Sequence, residues 1–197
     1  MNLDVRERSR EILQAQLADA AADFCLEHGF ENVTVDEIAQ GIGISRATFF
    51  RYFASKEEAI IAAIRPDHRT LGEHVHGAEP SRGAVGMDVV RSALTATITG
   101  AERNPARLRA LFRMIGETPS LRARTAFSRT EQRESLSEAL GEHIDDPEEA
   151  RAVATAGMAA LELAWSLWGI QEDAGFGEVL DRAFALVGRV GQIRIDG

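Results

Sequence analysis

The sequence predicts an all-α protein. Three observations carry that prediction. Ala, Leu, Glu and Arg dominate the chain, and the alternation expected of a half-buried strand is scarce. Apolar residues recur at three- and four-residue steps over long windows. Pro or Gly stands at most of the boundaries between those windows, where helices must start and stop. With 197 residues, 45% hydrophobic and 27% charged, the chain can bury a substantial core, as one large domain or as a small domain and a medium one.

Taken in order, the first helix is expected from about Glu7 to His28, with Leu13, Leu17, Ala21 and Phe24 lining its inner face. Gly29 stops it, since glycine takes the left-handed conformation without strain. A short second helix covers Val35 to Gln40, opened by the T-x-x-E capping box of Thr34 and Glu37. Gly41 and Gly43 then make a tight turn, and Ser45 caps a third helix that reaches about Tyr52. Ser55 and Glu58 repeat the capping-box spacing at the start of a fourth helix. Its pattern contains Pro66, which removes a helix hydrogen bond, so a bend is expected over Ala62 to Pro66. Gly77 to Gly86 reads as a loop. Further helices are expected over about Met87–Gly100, Pro105–Gly116, Pro119–Gly141, Pro147–Gly169 and Gly175–Arg189.

The stretch from Val35 to Tyr52 has the spacing of a helix-turn-helix. Two short helices crossing steeply need a small residue at the approach (Ala39) and a glycine in the turn (Gly43). They also need apolar inner faces, which Ile38, Ile42, Ile44, Phe49 and Tyr52 or Phe53 supply. The charge pattern adds a function. The chain carries a formal net charge of -9, yet Ile42 to Lys56 holds Arg46, Arg51 and Lys56 and no acid. Basic residues on a capped second helix suit double-stranded DNA, because such a helix enters the major groove by its N-terminus. Arg46 is the candidate for a guanine edge, whose O6 and N7 match the guanidinium fork. Ala47 and Thr48 can meet a thymine methyl, while Arg51, Tyr52 and Lys56 lie where the phosphate backbone would pass. Phe49 and Phe53 are expected to seal the small domain from beneath.

The run TVDEIAQGIGISRATFFRYFASKEEAI resembles the N-terminal domain of TetR-family transcriptional regulators, and the likeness covers about residues 8–60. The resemblance implies a homodimer with an all-α fold: a three-helix helix-turn-helix domain, residues 1–56, and a helical effector-binding and dimerisation domain, residues 57–197. It implies repression at a palindromic operator, relieved by a small molecule. By position, Thr34 matches a phosphate-contacting hydroxyl; Ser45, Arg46, Ala47 and Thr48 match the cap and the base- or backbone-contacting segment; Tyr52 and Lys56 match phosphate contacts. One departure is Phe50, where the family usually has tyrosine; it keeps only an apolar contact with a methyl or sugar.

Past Glu57 the motifs fade. By the resemblance, the last two helices form the dimer, and the small and apolar residues Ala156, Ala160, Leu180, Phe184 and Val187 are expected at that interface. An effector pocket needs apolar walls with a few polar handles. Leu94, Ile98, Phe112, Ile115, Phe127, Trp165 and Trp168 are the candidate walls, and Thr95, Arg113 and Glu162 the candidate handles. The C-terminal half resembles the actinobacterial mycofactocin-type branch, which implies an acyl-CoA or other lipid-like small-molecule effector. Enzyme chemistry finds little footing. No G-x-S-x-G, phosphate loop or dinucleotide fingerprint is present, so no catalytic residue and no cofactor is expected. His74, His76 and nearby His68 have no third well-spaced ligand, and no metal is expected. Cys25, the single cysteine, reads as a small core residue. A pure protein-interaction module would have no use for the charge segregation over residues 42–56. The opening Arg6, Glu7, Arg8 and Arg10 do not fit a signal peptide, and no apolar run spans a bilayer, so a cytoplasmic protein with no membrane partner is expected.

Overall fold

A computed structural model describes residues 5–65, 69–78, 83, 86–98, 104–171 and 174–192, with backbone alone at 5–7 and 96–98. Among these residues there are ten α-helices and no strand. They are α1 (Val5–His28), α2 (Val35–Gly41), α3 (Arg46–Tyr52), α4 (Lys56–Ala63), α5 (Leu71–Ala78), α6 (Gly86–Ile98), α7 (Pro105–Glu117), α8 (Pro119–Gly141), α9 (Pro147–Gly169) and α10 (Phe176–Val187). The chain divides into two compact units. The first takes Met1–His68 and Arg103–Phe127, the second Arg69–Glu102 and Ser128–Gly197. The first unit thus runs past residue 56 to include α4, α7 and the beginning of α8.

Local chemistry accounts for most helix starts. Thr34 accepts from the Glu37 amide while the Glu37 carboxylate accepts from the Thr34 amide at 2.8 Å, a complete capping box. Asn104 and Asp146 accept from the amides of Arg107 and Glu148, each with proline at the first helical position, where its missing N–H costs nothing. The second expected box is only half made. Ser55 accepts from the Glu58 amide at 3.2 Å, but the Glu58 carboxylate is taken by the Arg124 guanidinium at 3.1 Å. An unforeseen box opens α5 instead: Glu73 accepts from the Thr70 amide at 2.6 Å and its own amide donates to the Thr70 hydroxyl. These bonds hold the Glu73 carboxyl below the usual carboxylate range. The T-x-x-E spacing at 70–73 was the signal that a separate helix begins there. The helix before it, α4, ends at Ala63, earlier than a kinked continuation would. Pro66, on which the expected bend rests, lies outside the described residues.

In the first unit α1 packs on α2, α4 and α7. Its core holds Leu17, Ala18, Ala21, Cys25, Phe30, Ile38, Phe49, Phe53 and Ile60, closed by Leu111, Ile115 and Leu121 of α7 and α8. Leu13 departs from the expected inner face of α1 and is 41% exposed, because the buried stripe starts one turn later at Leu17. Polar ties fix α7 and α8 to this unit. Arg107 bonds Asp23 at 2.5 Å and Asp19 at 3.1 Å on α1, and Arg124 bonds Glu58 on α4. In the second unit α10 packs chiefly on α9, and α6 packs on both. Gly157 of α9 permits the close approach: a Cβ there would overlap the Val90 side chain of α6. Trp165 and Trp168 pack on Phe176, and the Trp168 indole N–H donates to the Ala174 carbonyl at 2.9 Å.

Candidate nucleic-acid interface

Helices α2 and α3 are joined by a turn that the chain closes with its own backbone. The Ile42 amide donates to Ile38, Gly43 to Gln40 and Ile44 to Ala39, at 2.9 to 3.1 Å. Gly43 has φ +77°, a region that disfavours any side chain, and nothing crowds it. Gly41 serves a different need, since a Cβ there would overlap the Phe24 ring of α1. Ala39 is buried at the approach of the two helices, as expected. Ser45 caps α3 by accepting from the Thr48 amide at 3.1 Å, and its hydroxyl also meets the Thr48 hydroxyl at 2.9 Å.

The two faces of α3 separate cleanly. Phe49 and Phe53 are buried, with ring centroids 5.3 Å apart. Ser45, Arg46, Ala47, Phe50 and Arg51 are exposed, with Thr48 and Tyr52 at the margin. Phe50 is 43% exposed, a large apolar ring facing water, and it leans edge-on against Phe49. A guanidinium lies over each outer ring: Arg46 over Phe50 at 5.2 Å and Arg51 over Tyr52 at 5.1 Å. Thr34 is exposed at the start of α2, and its hydroxyl donates to Glu37 at 2.8 Å. The Thr34 amide and hydroxyl hold the Glu37 carboxyl below its ordinary range. The Gln14 amide of α1 reaches the Tyr52 carbonyl at 3.3 Å and ties the end of α3 to the core helix.

Two residues stand differently from their sequence reading. Lys56, expected at a phosphate, is half-buried; its ammonium donates to the Phe30 carbonyl at 2.9 Å and the Val33 carbonyl at 3.1 Å, and lies 4.3 Å from the Phe30 ring centroid. Burial outweighs reach here: the lysine staples the segment between α1 and α2 to the start of α4. The thiol of Cys25 is fully buried and burial pushes its pKa up to about 11, with the Lys56 charge pulling weakly the other way. It is a core thiol, as expected. Arg46, the candidate for a guanine edge, donates through Nη1 to both carboxylate oxygens of Asp36, at 2.8 and 2.7 Å, a pairing the sequence reading did not include. Asp36 was missed. The available signal was an acid ten residues before Arg46, on the other arm of the turn.

The remaining candidates are divided between the two units. Phe112, Ile115 and Phe127 belong to the first unit, Leu94, Trp165 and Trp168 to the second, and the Ile98 side chain lies outside those described. Ile115 is core against α1, Leu94 is buried, and Phe127 is 59% exposed under the Arg124 guanidinium. Of the polar handles, Thr95 and Arg113 are exposed and Glu162 pairs with Arg129. The expected dimer residues also need correcting. Ala160, Leu180 and Phe184 are buried by the α9–α10 packing within one chain, and Ala156 and Val187 are partly so. The exposed faces of this helix pair carry small residues (Ala152, Thr155, Ala159 and Ser166 of α9, Ala185 of α10) among charged ones (Arg151 and Glu162 of α9, Glu178, Asp181 and Arg182 of α10). An open groove of about 350 Å³ lies between α6 and α10, lined by Met87, Asp88, Arg91, Asp181, Phe184 and Ala185 and bridged by the Arg91–Asp181 pair. His74 is buried and His76 pairs with Glu142 at 3.1 Å; His68 lies outside the described residues, and no metal-binding cluster occurs among those described. No described helix is long and apolar enough to cross a membrane.

Comparison with known proteins agrees with this geometry. Residues 17–63 match the family model "Bacterial regulatory proteins, tetR family", and residues 85–191 match "MftR C-terminal domain". MftR of Mycobacterium tuberculosis, named for transcriptional regulation of mycofactocin biosynthesis, is 31% identical over 186 residues, covering 92% of each chain. Among solved structures, FadR of Thermus thermophilus, a transcriptional repressor solved with lauroyl-CoA, aligns with a TM-score of 0.53 at 21% identity, over 93% of this chain and 97% of that one. The fatty acid degradation regulator FadR of Bacillus halodurans aligns with a TM-score of 0.54 at 17% identity, over 88% and 93%.

Proposed function

The chain belongs to the TetR family of DNA-binding transcriptional regulators, and from that premise we propose that it is a repressor that holds a palindromic operator as a homodimer and leaves it when a small apolar or amphipathic effector binds. The observation that carries the DNA side is α3: a capped helix with two phenylalanines buried beneath it and Arg46, Ala47, Phe50 and Arg51 exposed above. Arg46 reads a guanine edge. Ala47, Thr48 and Phe50 meet thymine methyls or sugars. Thr34, Ser45, Arg51 and Tyr52 hold phosphates and set the register, which carries no sequence information by itself. Lys56 contributes indirectly, by holding the backbone before α2. A dimer fits a palindrome because two recognition helices must reach half-sites about 34–36 Å apart.

The exposed strip of α9 at Ala152, Thr155, Ala159 and Ser166, with Ala185 of α10, is the surface on which a second copy packs, since small residues allow close helix approach. The effector belongs to the acyl-CoA class. That reading leans on the likeness of the C-terminal half to MftR and on the fold shared with a repressor solved with lauroyl-CoA. Such a regulator works on chromosomal DNA in the cytoplasm. The test is a gel shift of the full chain on the DNA upstream of its own gene, with and without lauroyl-CoA. Retention of that DNA over a scrambled duplex, lost on adding lauroyl-CoA, is the expected result. Equal retention of both duplexes would overturn operator recognition. Release by coenzyme A as readily as by lauroyl-CoA would overturn the acyl effector.

A further inference from the structure

Arg46 sits at the first position of α3 and Asp36 in the first turn of α2, so the turn brings opposite charges from the two arms together. Nη1 of Arg46 contacts both oxygens of Asp36, and the guanidinium lies 5.2 Å from the Phe50 ring centroid. Both side chains stay open to solvent, at 62% and 61% exposure. The pair is therefore no stability device: exposed ion pairs contribute about 0–1 kcal/mol. Its geometry has another consequence. The guanidinium is planar with five N–H donors, and Asp36 meets it at Nη1 alone. Nε and Nη2 form the opposite fork, and among the described residues that fork has no hydrogen-bond partner in the protein. A long arginine met at one edge by a carboxylate and on one face by a ring is biased toward this orientation before any ligand arrives.

We propose that Asp36 is the positioning residue for base recognition: it buttresses the Arg46 guanidinium against Phe50 so that the Nε–Nη2 fork is presented, already oriented, to a guanine. This rests on the operator-binding reading above and deepens it. A second effect acts in the same direction. Asp36 is an exposed negative charge beside the reading helix, and it repels phosphates on any sequence. A correct guanine offsets that repulsion through the fork and a wrong base does not, so the acid sharpens discrimination while lowering affinity for random DNA. Phe50 supplies the shelf for the guanidinium, a use for an aromatic ring that needs no hydroxyl.

The test uses the full chain as wild type, Asp36→Asn, Arg46→Ala and the double variant. Asparagine keeps the shape of the exposed side chain, and circular dichroism checks that each variant is folded. Each protein selects from a random-sequence duplex pool, and the enriched duplex is then compared with a scrambled one by fluorescence anisotropy. Wild type is expected to enrich a palindrome with one guanine position per half-site that depends on Arg46. Asp36→Asn should flatten that position and leave the others, lowering the preference for the enriched over the scrambled duplex by about 2- to 10-fold, the range for one immobilised side chain. In the Arg46→Ala background Asp36→Asn should change nothing further at that position. An equal change in affinity for both duplexes, a rise in preference, or a change in base preference at that position that persists without Arg46 would overturn the proposal. If wild type enriches no sequence, the operator-binding reading itself fails and takes this inference with it.

Discussion

Helices α3 and α9 pose the same question, which side chains face outward, and answer it differently. On α3 the two faces differ in chemistry. Phe49 and Phe53 point down and the arginines point up with Phe50 beside them, and the burial of Phe49 and Phe53 beside the exposure of Arg46 and Arg51 follows that difference. On α9 small residues surround the helix. Ala154, Gly157, Ala160 and Ala164 are buried while Ala152 and Ala159 are exposed, although the residue types are nearly identical. A helix with polar and apolar faces declares its own orientation through the cost of burying charge. A helix of alanines does not, and its orientation is settled by the neighbours it meets. Gly157 against Val90 is the contact that shows this, because there the absence of a side chain lets α6 come closest.

The comparison can be broken by substitution, and the largest effect is expected on α3. Phe49→Ala removes a fully buried ring from the core of the first unit and should cost about 3–5 kcal/mol in chemical denaturation. A loss under about 1 kcal/mol would mean that the inner face of α3 is not what anchors it. On α9, Gly157→Ala should cost about 1–3 kcal/mol through overpacking, in spite of alanine's better helix propensity. Adding Val90→Ala should recover part of that loss, since it removes the atom the new Cβ would meet. Two independent, additive losses would show that the contact does not set the packing.

Lys56→Met sharpens the contrast between a residue that looks exposed in sequence and one that is. Methionine keeps the stem and loses the bonds to the Phe30 and Val33 carbonyls, so stability should fall by about 1–3 kcal/mol. The slope of log affinity against log salt should stay as in wild type. A slope lower by about one unit would restore Lys56 as a phosphate contact. The smallest effect on the fold is expected from Ala159→Glu on the exposed side of α9. Stability measured at protein concentrations too low for association should change by less than about 0.5 kcal/mol. Sedimentation at higher concentration should show the dimer lost. An unchanged dimer would move the interface elsewhere.

The difference between these helices also explains which sites were legible. Thr34, Ser45 and Gly43 act on backbone groups within four residues of themselves, so their roles could be read from spacing alone, and the structure has the cap, the box and the positive φ in place. Ser55 and Glu58 have the same spacing, but Arg124, 66 residues away from Glu58 in sequence, competes for the carboxylate and wins it. The pairing of Asp36 and the carbonyl bonds of Lys56 were missed for a related reason. What each side chain does depends on a partner across a turn or in another segment, and spacing within one helix carries no record of it.

The sequence by itself determined the all-α class, the helix-turn-helix, the caps that start its helices and the buried and exposed faces of α3. Each of these is a local balance: a backbone amide with a nearby acceptor, a glycine where φ is positive, a charge that cannot be buried unpaired. Tertiary structure alone decided that α7 and the start of α8 close the core under the DNA-binding helices, and that Ala160, Leu180 and Phe184 face inward. It alone decided that Lys56 spends its ammonium on two carbonyls and that Asp36 holds Arg46. The physical reason is the same in each case. Apolar burial is non-directional, and a long charged side chain can reach several partners, so only the arrangement of the whole chain selects among them.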